Sequence, residues 1–396
     1  MTTRLVALQA PPDVFGDQLR TLWDAGDAVL PLPWTTPAAA EGTDEHVAEI
    51  LARHRPHAIV QHTGSGLARR SLDEPVGVVD GTALVVTTSG STGAPRGVVL
   101  SHDALAASTR ASLDRLGVGA GARFMLTLPA HHVAGLQVFL RAWQCGTEPE
   151  VVDDPRRIAA PDGWIVSLVS TQLRRIVASS PEVLDHVDTI LVGGGPVDEE
   201  AVAGARRRGV RVVRSYGMTE TCGGCVYDGV PLDGVEVSTT TDARLRIRGP
   251  MLLTSLHPDP VPVLDDEGWF VTGDVGTVTN GRVQVHGRAD DVVVTGGENV
   301  PAEAVADTLR AHPGIRDAAV TGWPDPEWGH VVVAVVVVEP GAEPVTLQAA
   351  RDHVRRNHPA AWAPQRLVIT DALPRDPMGK LRRDDVQTVV GRALRE

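Results

Sequence analysis

The chain of 396 residues carries 50 acidic against 37 basic residues, a formal net charge of −13, with 42% hydrophobic and 22% charged residues. Such a length supports two or three domains with proper cores, and the acidic balance argues against a nucleic-acid or anionic-membrane binder. No apolar run reaches the ~18 residues of a membrane-spanning helix, and "MTTRLVALQAPPD" lacks the apolar core of a signal peptide, so a cytoplasmic location without membrane insertion is expected.

Through the first 230 residues short apolar runs alternate with helix-like stretches. "LVVTTSG" (84–90), "RFMLTLPAHH" (123–132), "GWIVSLVST" (163–171), "TILVGGG" (189–195) and "VRVVRSYG" (210–217) read as buried strands ending in polar or glycine-rich loops. Helical patterns lie between several of them, as in "SHDALAASTRASLDRLG" and "DEEAVAGARRRG". The alternation predicts an α/β fold with parallel-rich sheets, whose ligands collect at the carboxyl ends of the strands.

From about residue 235 the character changes. "ARLRIRGP", "GWFVTGDVG" and "GRVQVHGR" are short alternating strands with glycine turns, a β-rich subdomain. A helix at "PAEAVADTLRAH", strands at "RDAAVTGW" and "HVVVAVVVVEP", a helix at "TLQAARDHVRRNH" and a polar loop, "RDPMGKLRRDD", then make up a small α+β domain. The expected division is a large domain over 1–289 and a small, mobile one over 290–396.

Two segments stand out chemically. "TTSGSTGAPRGVVLSH" (87–102) holds three glycines, six hydroxyls and Arg96, a combination suited to an oxyanion such as phosphate. It is not a Walker A loop, because Pro95 and Val98 stand where a second glycine is required after Gly90 and Gly93. Cys222 and Cys225 form a C-x-x-C, but no second ligand pair lies nearby, so these cysteines and Cys145 are expected to be structural thiols in a reducing compartment.

Five motifs stand in order: "TTSGSTGAPRG" (87–97), "SYGMTET" (215–221), "TGDVG" (272–276), "GRADD" (287–291) and "PMGK" (377–380). Together they resemble the adenylate-forming superfamily of acyl-CoA synthetases, adenylation domains and luciferases, from about residue 80 onward. The resemblance implies a two-step reaction with ATP, Mg²⁺ and CoA. A carboxylate attacks the α-phosphate of ATP to give an acyl-adenylate, and a thiol then displaces AMP.

It also implies roles for residues. Thr88, Ser89, Gly90, Ser91, Thr92, Gly93 and Arg96 would hold the triphosphate, with Arg96 standing where relatives usually carry lysine. Gly193, Gly194 and Gly195 would flank adenine and Tyr216 would stack on it. Thr219 would bond the α-phosphate, Glu220 would hold Mg²⁺, and Asp274 with Arg288 would hold the ribose. Lys380 matches the catalytic lysine and Asp290 the hinge about which the small domain turns. Gly296 and Gly297 would let the CoA pantetheine pass.

On the acyl side, "LPAHHVAGLQVFLRAW" (128–143) lacks the aspartate that amino-acid adenylation domains use. His132 and Arg141, in an H-x₈-R spacing, resemble o-succinylbenzoate–CoA ligases, where an arginine is thought to bind the carboxylate that is not activated. Other aryl or acyl acids, a carrier protein as acceptor, and a nucleotide-sensing pseudoenzyme stay open on the sequence. A small-molecule acid, ATP and CoA are the expected partners, and a homodimer is compatible with the chain.

Overall fold

The computed structural model describes residues 2–34, 43–63, 66–89, 95–159, 161–195, 197–343, 345–375 and 381–394. Backbone contacts divide the chain into two units, Met1–Glu236 with Ile247–Phe270, and Val237–Arg246 with Val271–Glu396. The division passes through a four-stranded sheet ordered Glu236–Thr239, Arg244–Arg248, Phe270–Thr279, Arg282–Arg288.

The first unit holds two seven-stranded sheets. One is ordered Ser255–His257, Pro95–Ser101, Thr82–Ser89, Ala28–Pro31, Leu5–Gln9, Ala58–Thr63, Gly66–Ser71, and its four inner strands from Thr82 to Thr63 are parallel. The other is ordered Glu150–Val151, Arg123–Leu126, Trp164–Val169, Val187–Gly193, Arg211–Met218, Gly223–Tyr227, Val230–Pro231, and its first five strands are parallel. Strands buried on both faces are continuously apolar, as "LVALQ" and "WIVSLV" illustrate.

Helix ends follow capping chemistry. Ser101 Oγ accepts from Ala104 N at 3.1 Å to start the His102–Leu116 helix, and Gly117, at φ 69°, ends it. Asp198 and Thr346 cap the Glu199–Arg207 and Leu347–Arg355 helices in the same way. The "RDPMGKLRRDD" segment differs from the polar loop expected. Its last residues enter the helix Arg383–Ala393, where Asp384 and Asp385 suit the positive end of the helix dipole.

In the second unit, strands Glu298–Pro301, Val292–Thr295, Gly329–Val338 and Ile315–Asp325 form one sheet, with Arg366–Ile369 parallel to Gly329–Val338. Arg310 organises its polar side, bonding Glu303 at 2.7 Å, Asp317 at 3.4 Å and the Ala318 carbonyl at 3.0 Å. Asp317 in turn takes a bidentate contact from Arg375 at 2.8 and 3.0 Å.

The three cysteines are buried and unpaired, and burial pushes the Cys225 thiol up to about 12 and raises Cys222 and Cys145 as well. Among the described residues no group of three or more His, Cys, Asp or Glu could hold a metal ion. No described helix is long and apolar enough to cross a membrane.

Beneath the Pro95–Ser101 strand two histidines face each other in the core. His54 and His257 are 0% and 6% exposed, their Nδ1 atoms are 3.1 Å apart, and neither Nε2 has a partner. Burial foremost pushes both down to about 4, so both are neutral in the fold. In the unfolded chain they take up protons near pH 6.5. Their stabilising contribution is therefore complete above pH 6.5 and is lost as pH falls from there through 4. The urea midpoint is expected to fall between pH 7 and pH 5, with part of that slope removed in His257→Phe. A midpoint that does not change over this range would contradict the burial argument.

Candidate active site

The carboxyl ends of three parallel strands build one side of the site. Trp164–Val169, Val187–Gly193 and Arg211–Met218 run side by side, with Val169 level with Gly193 and Val192 level with Arg214. A Cβ on Gly193 would lie 2.7 Å from Ser215 O, so the glycine end of one strand rests against the backbone that carries Tyr216. Gly194 turns the chain away at φ 81°, and a Cβ on Gly195 would meet nothing within 4 Å. The result is a flat, open backbone surface beside a half-buried tyrosine.

Arg211–Met218 runs directly into the short 3₁₀ turn Thr219–Thr221. Buried Thr221 fixes that turn. Its Oγ1 accepts from Met218 N at 2.9 Å and lies 2.6 Å from Gly223 O, to which it donates. Gly217 is required here, because a Cβ would sit 2.0 Å from Gly223 O. Thr219 and Glu220 are thus presented by a turn with little freedom to rearrange.

The hydroxyl-rich hairpin is tied to the same turn. Leu253 N donates to Glu220 O and Thr254 N to Val99 O, each at 2.9 Å. In that hairpin Thr88 stands opposite Arg96, whose side chain is exposed. Gly90, Ser91, Thr92, Gly93 and the side chain of Ser89 lie outside the described residues.

The acyl-side residues share one helix. His132 occupies the N-cap of Val133–Gln144 without capping it through its side chain. Its ring stands 4.2 Å from that of His131, which burial and the neighbouring His132 and His46 push down to about 3. Arg141, nine residues on, is roughly 13 Å further along the helix at 1.5 Å per residue. It is not a surface residue. Arg141 is 5% exposed, its Nη2 donates to Ser167 Oγ at 3.1 Å, and its buried Nε has no partner. No carboxylate among the described residues pairs with it. Burial lowers its pKa, and the neighbouring Tyr227 opposes that shift. An isolated buried charge costs several kcal/mol unless an anion or hydrogen bonds meet it.

Sequence reading missed that surrounding set. Ser167, Tyr227, Ser112 and Gln137 line the buried face on which Arg141 lies. Gln137 donates to Cys222 O at 2.8 Å, and Ser112 Oγ is 2.7 Å from the Tyr227 hydroxyl. The available signal was Gln137 and Arg141 four apart, both polar, on a helix otherwise rich in apolar residues.

The second unit carries the remaining residues. Asp274 and Arg288 are directly opposite on paired strands, 3.7 Å apart, with the Asp274 side chain mostly covered. Gly296 and Gly297, at φ 56° and 85°, form the two-residue turn between Val292–Thr295 and Glu298–Pro301, a geometry that demands left-handed residues at both positions. Gly296 N donates to Trp328 O at 3.0 Å, and the exposed Trp328 ring lies over the turn. Asp291 pairs with Arg383. Lys380 and the side chain of Asp290 lie outside the described residues.

The family model described as AMP-binding enzyme matches residues 27–276, and that of the AMP-binding enzyme C-terminal domain matches residues 304–380. The chain belongs to the AMP-binding enzyme family. It is 40% identical over 324 residues to a probable 2-succinylbenzoate–CoA ligase of Mycobacterium tuberculosis, covering 77% of this chain and 83% of that one. It is 32% identical over 375 residues to an indoleacetate–CoA ligase of Aromatoleum aromaticum, covering 85% and 72%. Among solved structures, ATP-bound MatB from Rhodopseudomonas palustris superposes with a TM-score of 0.83 at 22% identity, over 98% of this chain and 89% of that one. That likeness is one of fold, and it extends through the first eighty residues, where motifs are sparse. The AMP-binding enzyme fold therefore accounts for both the large α/β unit and the small C-terminal one.

The glycine geometry makes a direct prediction. Gly217→Ala should destabilise the protein by on the order of 3 kcal/mol, because the added carbon must displace a backbone carbonyl. Gly195→Ala, with open space around it, should leave the urea midpoint where it is. Equal midpoints for the two variants would mean that the turn accommodates a side chain at 217.

Proposed function

We propose that this AMP-binding enzyme is an ATP-dependent acid–CoA ligase acting on o-succinylbenzoate. The observation that carries the substrate choice is Arg141, a buried guanidinium with a free Nε, on the helix that begins beside His132. o-Succinylbenzoate has two carboxylates. The aliphatic one is activated, and the aromatic one enters the acyl pocket and meets Arg141, whose planar fork suits a carboxylate. The names of the relatives favour the same acid.

The adenylate step draws on the first unit. Thr88, Arg96 and the 89–93 loop hold the triphosphate, adenine rests against Gly193–Gly195 and Tyr216, and Thr219 bonds the α-phosphate. Glu220, a carboxylate on the Thr219–Thr221 turn, is the residue that would hold Mg²⁺, which neutralises phosphate charge when bound. Asp274 and Arg288 take the ribose. Lys380 stabilises the charge that develops on the reacting carboxylate and α-phosphate. We place the boundary of the mobile domain at Asp290, with rotation there exchanging Lys380 for the Gly296–Gly297 turn, past which the CoA thiol reaches the adenylate.

Pyrophosphate release is expected with o-succinylbenzoate and ATP, and formation of the thioester on adding CoA. Lys380→Ala should slow the adenylate step by about 10²–10³ while largely sparing CoA transfer from a supplied acyl-adenylate. Equal losses in both half-reactions would refute the alternation between them.

Arg141→Ala should raise the KM for o-succinylbenzoate, with a loss in kcat/KM on the order of 2–4 kcal/mol, and leave the KM for ATP in place. The comparison acid is a monocarboxylate analogue lacking the ring carboxyl. The same loss on both acids would remove o-succinylbenzoate as the assigned substrate.

A further inference from the structure

Gln137 lies near the middle of the Val133–Gln144 helix and is 3% exposed, between buried Leu136 and Val138. A leucine would pack there at no polar cost, whereas a buried amide must find partners. Its Nε2 carries two protons, and both are used. One goes to Cys222 O at 2.8 Å and the other to Ser108 Oγ at 3.3 Å. Ser108, on the His102–Leu116 helix, gives its own proton to Cys222 O at 3.3 Å, which closes a triangle. The amide cannot be turned round, because its oxygen would then face a carbonyl oxygen.

Cys222 ends the Thr219–Thr221 turn in the left-handed region, at φ 53° and ψ 31°. Glycine adopts that conformation freely and a residue with a side chain does not. Such strain persists only where the surroundings fix it. Here the Cys222 N–H closes the turn on Thr219 O at 3.1 Å, and its carbonyl is held by the two donors. The Gln137 side chain also lies against Gly223, where an added Cβ would stand 3.3 Å from Gln137 Cγ. The helix that begins beside His132 therefore sets the exit of the turn that presents Thr219 and Glu220.

We propose that Gln137, with Ser108, is a positioning residue for the Thr219–Glu220 turn, so that the helix carrying His132 and Arg141 also fixes how MgATP is held. This rests on the acid–CoA ligase reading given above.

The test compares wild type, Ser108→Ala and Gln137→Met, which nearly keeps the volume and loses both donors, by calorimetric binding of MgATP and by pyrophosphate release with o-succinylbenzoate. In Gln137→Met the Kd for MgATP is expected to rise about tenfold and kcat to fall, while the KM for the acid stays within about twofold of wild type. Ser108→Ala should weaken MgATP about threefold, and it decides by the same criterion should Gln137→Met not fold. MgATP binding that is unchanged in both variants overturns the inference. A rise in the KM for the acid alone would show that Gln137 serves the acyl-side helix and not the turn, which overturns it too. Wild type that binds MgATP but releases no pyrophosphate with any carboxylic acid removes the ligase reading, and the Kd values of the variants then still decide whether Gln137 positions the turn.

Discussion

A positive charge held away from water is the constraint around which the surroundings of the Val133–Gln144 helix are organised. Arg141 sits in the third turn of a helix packed against the sheet that contains Trp164–Val169 and against the His102–Leu116 helix, with the Ser167 hydroxyl accepting from it. Neutral acceptors solvate a guanidinium in part, yet they leave its charge uncancelled. The helices and strands that meet there contribute polar side chains in an otherwise apolar interior, from Ser108 and Thr109 through Gln137 to Ser167. Each spends a core position on a hydrogen bond where a leucine would pack. Such a seam is costly as scaffolding.

The strand ends at Gly193 and Met218 obey a different constraint, close approach of backbones. Gly193 rests on Ser215 and Gly217 on Gly223, and Thr221 locks the turn between them. Side-chain identity matters less there than the absence of side chains. The second unit depends on charge pairing instead, with Arg310 and Arg375 sharing Asp317 and Asp291 meeting Arg383. Those pairs bracket both ends of the 376–380 segment, since Arg375 precedes it and Arg383 opens the helix that follows.

Much of this was legible in the chain. Alternation of apolar runs with helical stretches gave the parallel sheets, and Ser101, Asp198 and Thr346 marked helix starts because a side-chain oxygen there satisfies free N–H groups. The motifs singled out Asp274 and Arg288, which stand opposite each other on paired strands, and Thr219 and Glu220, which share one turn, because each motif is local in sequence. What the sequence hid was non-local. Nothing near Tyr227 announces a partner at Ser112, 115 positions away, and nothing in "LRAW" says that its arginine turns inward. Burial is decided by which helix face meets which sheet, and a period of 3.6 in a mostly apolar helix leaves that face ambiguous. The helix after residue 382 was missed because its first residues are all charged, a composition shared by exposed loops and by helix starts.

The three cysteines acquire meaning beside such chemistry. An acyl-adenylate is an acylating agent, and any thiolate within reach can intercept it before CoA does. Cys145, Cys222 and Cys225 are each at most 3% exposed, and burial keeps all three protonated near neutral pH. The protein that generates a thiol-seeking intermediate thus holds no competing nucleophile of that kind at its described surface. Self-acylation and mixed disulfides with the co-substrate are suppressed by the packing of the core, without any separate protective device.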